Sequence, residues 1–226
     1  TSGFTGAQLE NLLNEAAIIA ARAGNQAISI KEIRKAFIKV GVGTEKKSRL
    51  ISQEERSITA YHEAGHAIIT EMLPLMDTVH IISIIPTGGA GGYTMHLPID
   101  KGYFSKNYLL QEIMVLFGGR IAEEIIFDDI TTGASSDIER ASKIARGMVT
   151  KYGMSSLGPI EFIDDEISQS LASSIDTEIK DIISSCYDKA KKILVDNIEY
   201  LHSTANLLLD KEKITGDEFR KLFPDN

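Results

Sequence analysis

The chain has 226 residues, 43% hydrophobic and 25% charged, enough apolar content to bury an ordinary core. Its formal net charge of -8, from 24 Lys+Arg against 32 Asp+Glu, excludes a general nucleic-acid binder, which needs basic phosphate contacts. A single cysteine, Cys186, excludes an internal disulfide and a thiolate zinc site.

Thr5 and Gln8 are spaced as a capping box, and Leu9, Leu12, Leu13, Ala16 and Ala20 behind them follow a helical stripe. Gly24 closes that helix. Ser29 and Glu32 open a second helix, carrying Ile33, Phe37 and Val40, and Gly41 ends it. Two helices cannot hold a core alone, so residues 1–41 must pack on something further. The small and then basic stretch 42–50 reads as a linker, and a second domain is expected over 51–226.

Ser52 with Glu55 opens a third helix, which Pro74 stops. It contains His62-Glu63-Ala64-Gly65-His66. Histidines four apart on a helix project from one face, so both imidazoles can reach one metal. Glu63 is then placed beside the metal's water as general base. Three fixed positions arise by chance in roughly one such chain in a hundred, so the motif needs a third ligand before it carries weight. Gly65 costs about 1 kcal/mol in a helix interior; it reads either as a tolerated residue of no consequence or as a point of close approach, by metal-bound substrate or by a neighbouring helix.

Val79 to Ile85 and Tyr93 to Leu97 read as short strands around a glycine loop. No Gly-Lys-Ser/Thr follows the glycines, so the loop reads as a hairpin and not a phosphate cradle. Gly92, Tyr93, Thr94 and Met95 are candidates to bind an extended peptide by edge pairing. Ser105 opens a further helix, which Gly118-Gly119 is expected to interrupt or kink before Glu123 and Glu124. Ser136 and Glu139 suggest another capping box, with Asp137 at the first helical position. Ile160 to Ile163 is a strand candidate, and a helical hairpin with a capped turn at Thr215 to Glu218 ends the chain. The fold class expected is mainly α with one small sheet.

A catalytic zinc takes three protein ligands and leaves one position open. The longer metzincin pattern fails, because Ile69 and Met72 stand where a glycine and a histidine would be needed. His80, His96 and His202 lie on elements where a lone histidine is usually structural. Carboxylates remain: Glu123 or Glu124, either as a ligand or as acceptor of a ligand histidine's second N–H, and Asp137, whose helix N-terminus favours the ionised form. The residues alone leave these near even.

His62 to His66, Ile85-Pro86 with the glycine loop and Tyr93-Thr94, Gly118 to Glu124, and Thr132 to Ile138 together resemble the peptidase domain of FtsH, the membrane-anchored, ATP-dependent zinc metalloproteases. The resemblance covers most of the chain. It implies a zinc metallopeptidase domain holding one Zn2+ per subunit on His62, His66 and Asp137, with Glu63 as base and Glu123 supporting a ligand histidine. Residues 1–41 resemble the last helices of the family's AAA+ lid, so ATP would be used only by the full-length protein. Partners implied are unfolded or membrane-protein substrates and a homo-hexamer, with no nucleic acid. The location implied is the bacterial inner membrane, this part facing the cytoplasm, or an organellar membrane. The anchoring segment is not in this chain, whose longest apolar runs are too short to span a bilayer and whose start lacks a signal peptide. The stretch between Glu161 and Asp176 looks shorter than is usual in the family. From a different class, the chain could serve as a hexamer-forming assembly module with little activity of its own.

Overall fold

A computed structural model describes residues 4–41, 43–44, 51–88, 90–96, 102–162 and 168–223. Helices α1 (Gly6–Arg22) and α2 (Ile30–Gly41) pair around Leu12, Ala16 and Ala36. Phe4 stacks on Phe37 with ring centroids 5.3 Å apart. Thr5 and Gln8 form the expected reciprocal capping box. Glu32 accepts from both the backbone N–H and the hydroxyl of Ser29, so an almost fully buried carboxylate is satisfied at the start of α2.

The larger core belongs to the remaining elements. Helix α3 (Gln53–Met72) starts at a Ser52–Glu55 capping box and ends at Leu73, whose extended backbone suits the residue before a proline. It is buried continuously from Glu63 to Thr70, because α4 (Lys106–Phe127) and α7 (Ile198–Lys211) pack against it. Helix α6 (Gln169–Asp196) covers α4 and α5 (Ser135–Thr150). The α6–α7 hairpin therefore opens over the core instead of closing on itself. Ile68, Ile69, Ile113, Ile121, Met148, Leu194, Leu201 and Leu208 are fully buried between these helices.

The sheet is antiparallel in the order β2-β1-β3, with β1 (Val79–Ser83) central, β2 (Tyr93–His96) on one edge and β3 (Lys213–Thr215) on the other. Ile82 pairs with Thr94 on one side and Ile214 on the other. The sequence suggests neither β3 nor its pairing. The capped turn beyond it is helix α8 (Gly216–Arg220), with Thr215 and Glu218 as its box.

Three expectations are corrected. The expected interruption of α4 does not occur: the helix is continuous through Gly118 and Gly119, because packing against α3 makes up for the weak propensity of the pair. Residues 160–162 form no strand; they fold back on the end of α5, where the Phe162 N–H donates to the Thr150 carbonyl at 2.8 Å. Ile163 and Leu97 lie outside the described residues. The Ser136–Glu139 box does not form. A 3-10 turn at Thr132–Ala134 runs straight into α5, whose N-cap is Ala134 with no side-chain cap. Asp137 is therefore the third residue of the helix, and Glu139 pairs outward with Lys143 at 2.6 Å.

Candidate metal centre

The helical spacing of His62 and His66 brings their Nε2 atoms to 3.1 Å from each other. Oδ2 of Asp137, reaching in from the first turn of α5, lies 3.6 Å from the first and 3.5 Å from the second. These are the described residues that could hold a metal as a group of three. Tetrahedral zinc with ligands at about 2.0–2.1 Å sets its donor atoms about 3.3 Å apart, so the triangle has the right size.

The other ring nitrogens fix which atoms face the triangle. Nδ1 of His66 lies 2.7 Å from the carbonyl oxygen of Val115, which can only accept, so Nδ1 carries the hydrogen. Nδ1 of His62 lies 2.7 Å from Oε1 of Glu123 and donates in the same way. In the neutral rings, both Nε2 lone pairs then point at each other and at a carboxylate. Three converging acceptors repel unless a cation or a proton sits among them. A proton on an imidazole can take that role. Burial opposes charge on His62, but Asp137 and Glu123 outweigh it and raise its pKa to about 10. Burial likewise opposes ionisation of Asp137, yet the two imidazoles hold it well below the usual carboxylate range.

Glu123 ties the site together. Its second oxygen accepts the Thr131 N–H at 2.7 Å, so one almost fully buried carboxylate joins α3 to the turn that delivers Asp137. Burial acts to raise its pKa, but the His62 and Thr131 bonds together outweigh it and hold the carboxyl below its usual value. Glu124 points away, to Tyr187 and Lys191. Of the two glutamates left open by the sequence, neither enters the triangle.

Two glycines make the room. A Cβ on Gly119 would lie 2.4 Å from the His62 ring, and one on Gly65 would lie 2.3 Å from the Gly118 carbonyl oxygen. The close approach at Gly65 is thus by a neighbouring helix. A glycine pair inside an apolar helix is a signal that sequence reading could have used; the Val115 carbonyl and Thr131 N–H leave none.

Residues 49–222 match the family model described as Peptidase family M41, and residues 1–35 match that of the AAA+ lid domain. The chain belongs to this peptidase family. It is 53% identical over 238 residues to an ATP-dependent zinc metalloprotease FtsH of Caldicellulosiruptor bescii, covering 98% of this chain and 39% of that protein. It is 48% identical over 239 residues to FtsH 1 of a Thermoanaerobacter species, covering 99% and 39%. Identity to the FtsH of Thermotoga maritima is 46% over 242 residues, covering 100% and 40%. The chain thus spans about two fifths of the length of these curated relatives. The alignments are longer than the 226 residues of this family member, so the relatives carry residues that it lacks.

The site opens into a cavity of about 730 Å³ lined by the triangle, Glu63, β2 and residues of α4 and α5. Glu63 is 6% exposed. Burial raises its pKa, against the pull of His62 and His66. Gly92, Tyr93 and Thr94 line the cavity, and Met95 continues the same edge strand. His96 lines it too, as a ring kept neutral by burial, which lowers its pKa to about 4. His202 bonds the Tyr61 hydroxyl at 2.9 Å.

Proposed function

We propose that this chain is the zinc peptidase portion of an ATP-dependent protease, cleaving peptide bonds of unfolded or motor-delivered proteins. The observation that carries the reading is the triangle of two Nε2 atoms and one Oδ2 at 3.1–3.6 Å. His62, His66 and Asp137 would hold one zinc ion, and Glu123 would hold His62 in the binding tautomer. When bound, zinc polarises a water and the scissile carbonyl as a Lewis acid. Glu63 takes the proton from the attacking water and returns it to the leaving amine nitrogen. Its raised pKa suits both halves of that transfer. Gly92, Tyr93, Thr94 and Met95 would guide the substrate, supported by the position of β2 at the sheet's edge.

The division into a lid fragment (1–41), linker (42–50) and peptidase domain (51–226) is part of the same reading. Its support is the pair of separate apolar cores and the two family models with their boundary between residues 35 and 49. Hexamer formation, membrane-protein substrates and attachment to a bacterial inner membrane with this part in the cytoplasm, or to an organellar membrane, are carried over from the family. Among the described residues no helix is long and apolar enough to cross a membrane. An assembly module alone would have no need of three converging acceptors, and nothing favours that alternative.

The test is zinc content and hydrolysis of a short unstructured peptide, which needs no unfolding. The chain should bind one zinc. Glu63→Gln should keep the metal and lose about 10²–10⁴-fold in rate. A chain that binds no zinc, or a Glu63→Gln variant that cuts as before, would overturn the reading.

A further inference from the structure

The hydroxyl of Thr94 lies 2.8 Å from Oε2 of Glu63 and 3.1 Å from the Glu63 carbonyl oxygen. A hydroxyl has one hydrogen to give, and the carboxylate is the nearer and the charged acceptor. Gly92, immediately before β2, sits against the same side chain. A Cβ there would lie 2.9 Å from Oε1 and Cγ of Glu63, and 2.6 Å from the Ser83 carbonyl oxygen. Among the described residues, no other hydrogen bond reaches the Glu63 carboxylate. The hydrogen bond that restrains this carboxylate among the described residues therefore comes from β2.

We propose that Thr94 is a positioning residue for Glu63, binding Oε2 and leaving Oε1 as the oxygen that receives the proton. This rests on the peptidase reading above. The strand then has two separate tasks. Its backbone edge is available to an extended substrate, whereas the Thr94 hydroxyl and the bare Cα of Gly92 serve the base. The restraint matters because a carboxylate able to swing by about 1 Å can cost about 100-fold in rate. The Thr94 methyl group cannot supply it; the O–H can.

The test compares Thr94→Val, which keeps the shape and removes the donor, with Thr94→Ser, which keeps the donor. On a short peptide, Thr94→Val should lower kcat about 100-fold with KM within about twofold, and Thr94→Ser should recover most of the loss. Zinc content should not change. In a Glu63→Gln background Thr94→Val should cost nothing further. A rise in KM at unchanged kcat would make Thr94 a substrate contact, and equal losses in both variants would make it a packing residue; either overturns the proposal. A crystal structure of each variant gives a readout independent of activity. The Glu63 carboxylate should be displaced in Thr94→Val and in place in Thr94→Ser, and an unmoved carboxylate in both overturns the proposal. Absence of zinc, or hydrolysis that ignores Glu63→Gln, would instead sink the peptidase reading itself.

Discussion

Gly65 and Gly118 touch backbone to backbone where α3 crosses α4. A Cβ on either would fall within 2.8 Å of main-chain atoms of the other. This crossing sets how far the histidine helix stands from the helix that carries Glu123. Alanine gains about 1 kcal/mol over glycine in a helix interior, but here it must force two main chains apart inside a packed core. Overpacking of that kind costs about 1–3 kcal/mol or more. Gly65→Ala and Gly118→Ala should each lower the midpoint of urea unfolding, despite their better helix propensity.

Gly119→Ala should behave differently. The three atoms nearest its Cβ would all belong to the His62 ring, at 2.4–2.6 Å, so the imidazole is the first group that must move. Zinc affinity should fall by more than stability of the metal-free chain. Competition with a chelator, set beside urea unfolding without metal, separates the two effects.

How much of this was legible in the sequence varies residue by residue. The histidine helix could be read because its capping box, its four-residue spacing and Pro74 are all local signals. Asp137 stands 71 positions beyond His66, and local chemistry could not rank it against Glu123 and Glu124; only the resemblance did. The structure separates the three by direction, with Glu123 on His62, Glu124 on Lys191 and Asp137 in the triangle. The fold departs from the local reading where a distant partner overrules a local preference. Gly118-Gly119 reads as a break because what fills the space is far off in the chain: the Gly65 backbone, 53 residues before Gly118, and the His62 ring beside Gly119. Lys213-Ile214-Thr215 is too short to declare itself a strand without β1. At Ser136 the misleading feature was itself local: the 3-10 turn had already begun the helix.

Glu123→Gln tests the link between α3 and the Asp137 turn. The carboxylate accepts from His62 on one oxygen and from Thr131 on the other. An amide has one acceptor oxygen and an NH2 group, so one of those N–H groups must face a donor. Loss of such support to a ligand histidine typically costs 10–100-fold in metal affinity. Glu124→Gln, on the outward side of the helix, should leave zinc affinity unchanged. Isothermal titration with zinc checks both.

On the proposed reading, zinc removal should lower thermal stability, because the triangle exists only where α3 and α5 are assembled and not in the unfolded chain. Free zinc at 100 times its Kd is worth about 2.7 kcal/mol. A chelator should therefore shift Tm downward by several degrees, and added zinc should restore it. Asp137→Ala should respond to neither.

Tyr187 gives a pH signature away from the metal. Its hydroxyl donates to Glu124 at 2.5 Å, while Lys191 holds the other carboxylate oxygen at 2.8 Å. Its ring meets Phe117 edge-on at 5.3 Å, so the group fastens α6 to α4. Burial, and then the Glu124 carboxylate, push the phenol up to about 12. The folded value lies above the ordinary one near 10, so the folded state favours the protonated phenol. Its contribution to stability is fully present below pH 10 and is lost as pH rises through 12. Tyr187→Phe should lose about 0.5–1.5 kcal/mol at pH 8, the ordinary worth of one hydrogen bond. It should also show a shallower fall in stability between pH 10 and 12 than the parent. Urea unfolding of both proteins across that window measures the difference, in which the titration of the other tyrosines and the lysines cancels. Parallel curves would mean that the Tyr187–Glu124 bond contributes nothing to holding α6 on α4.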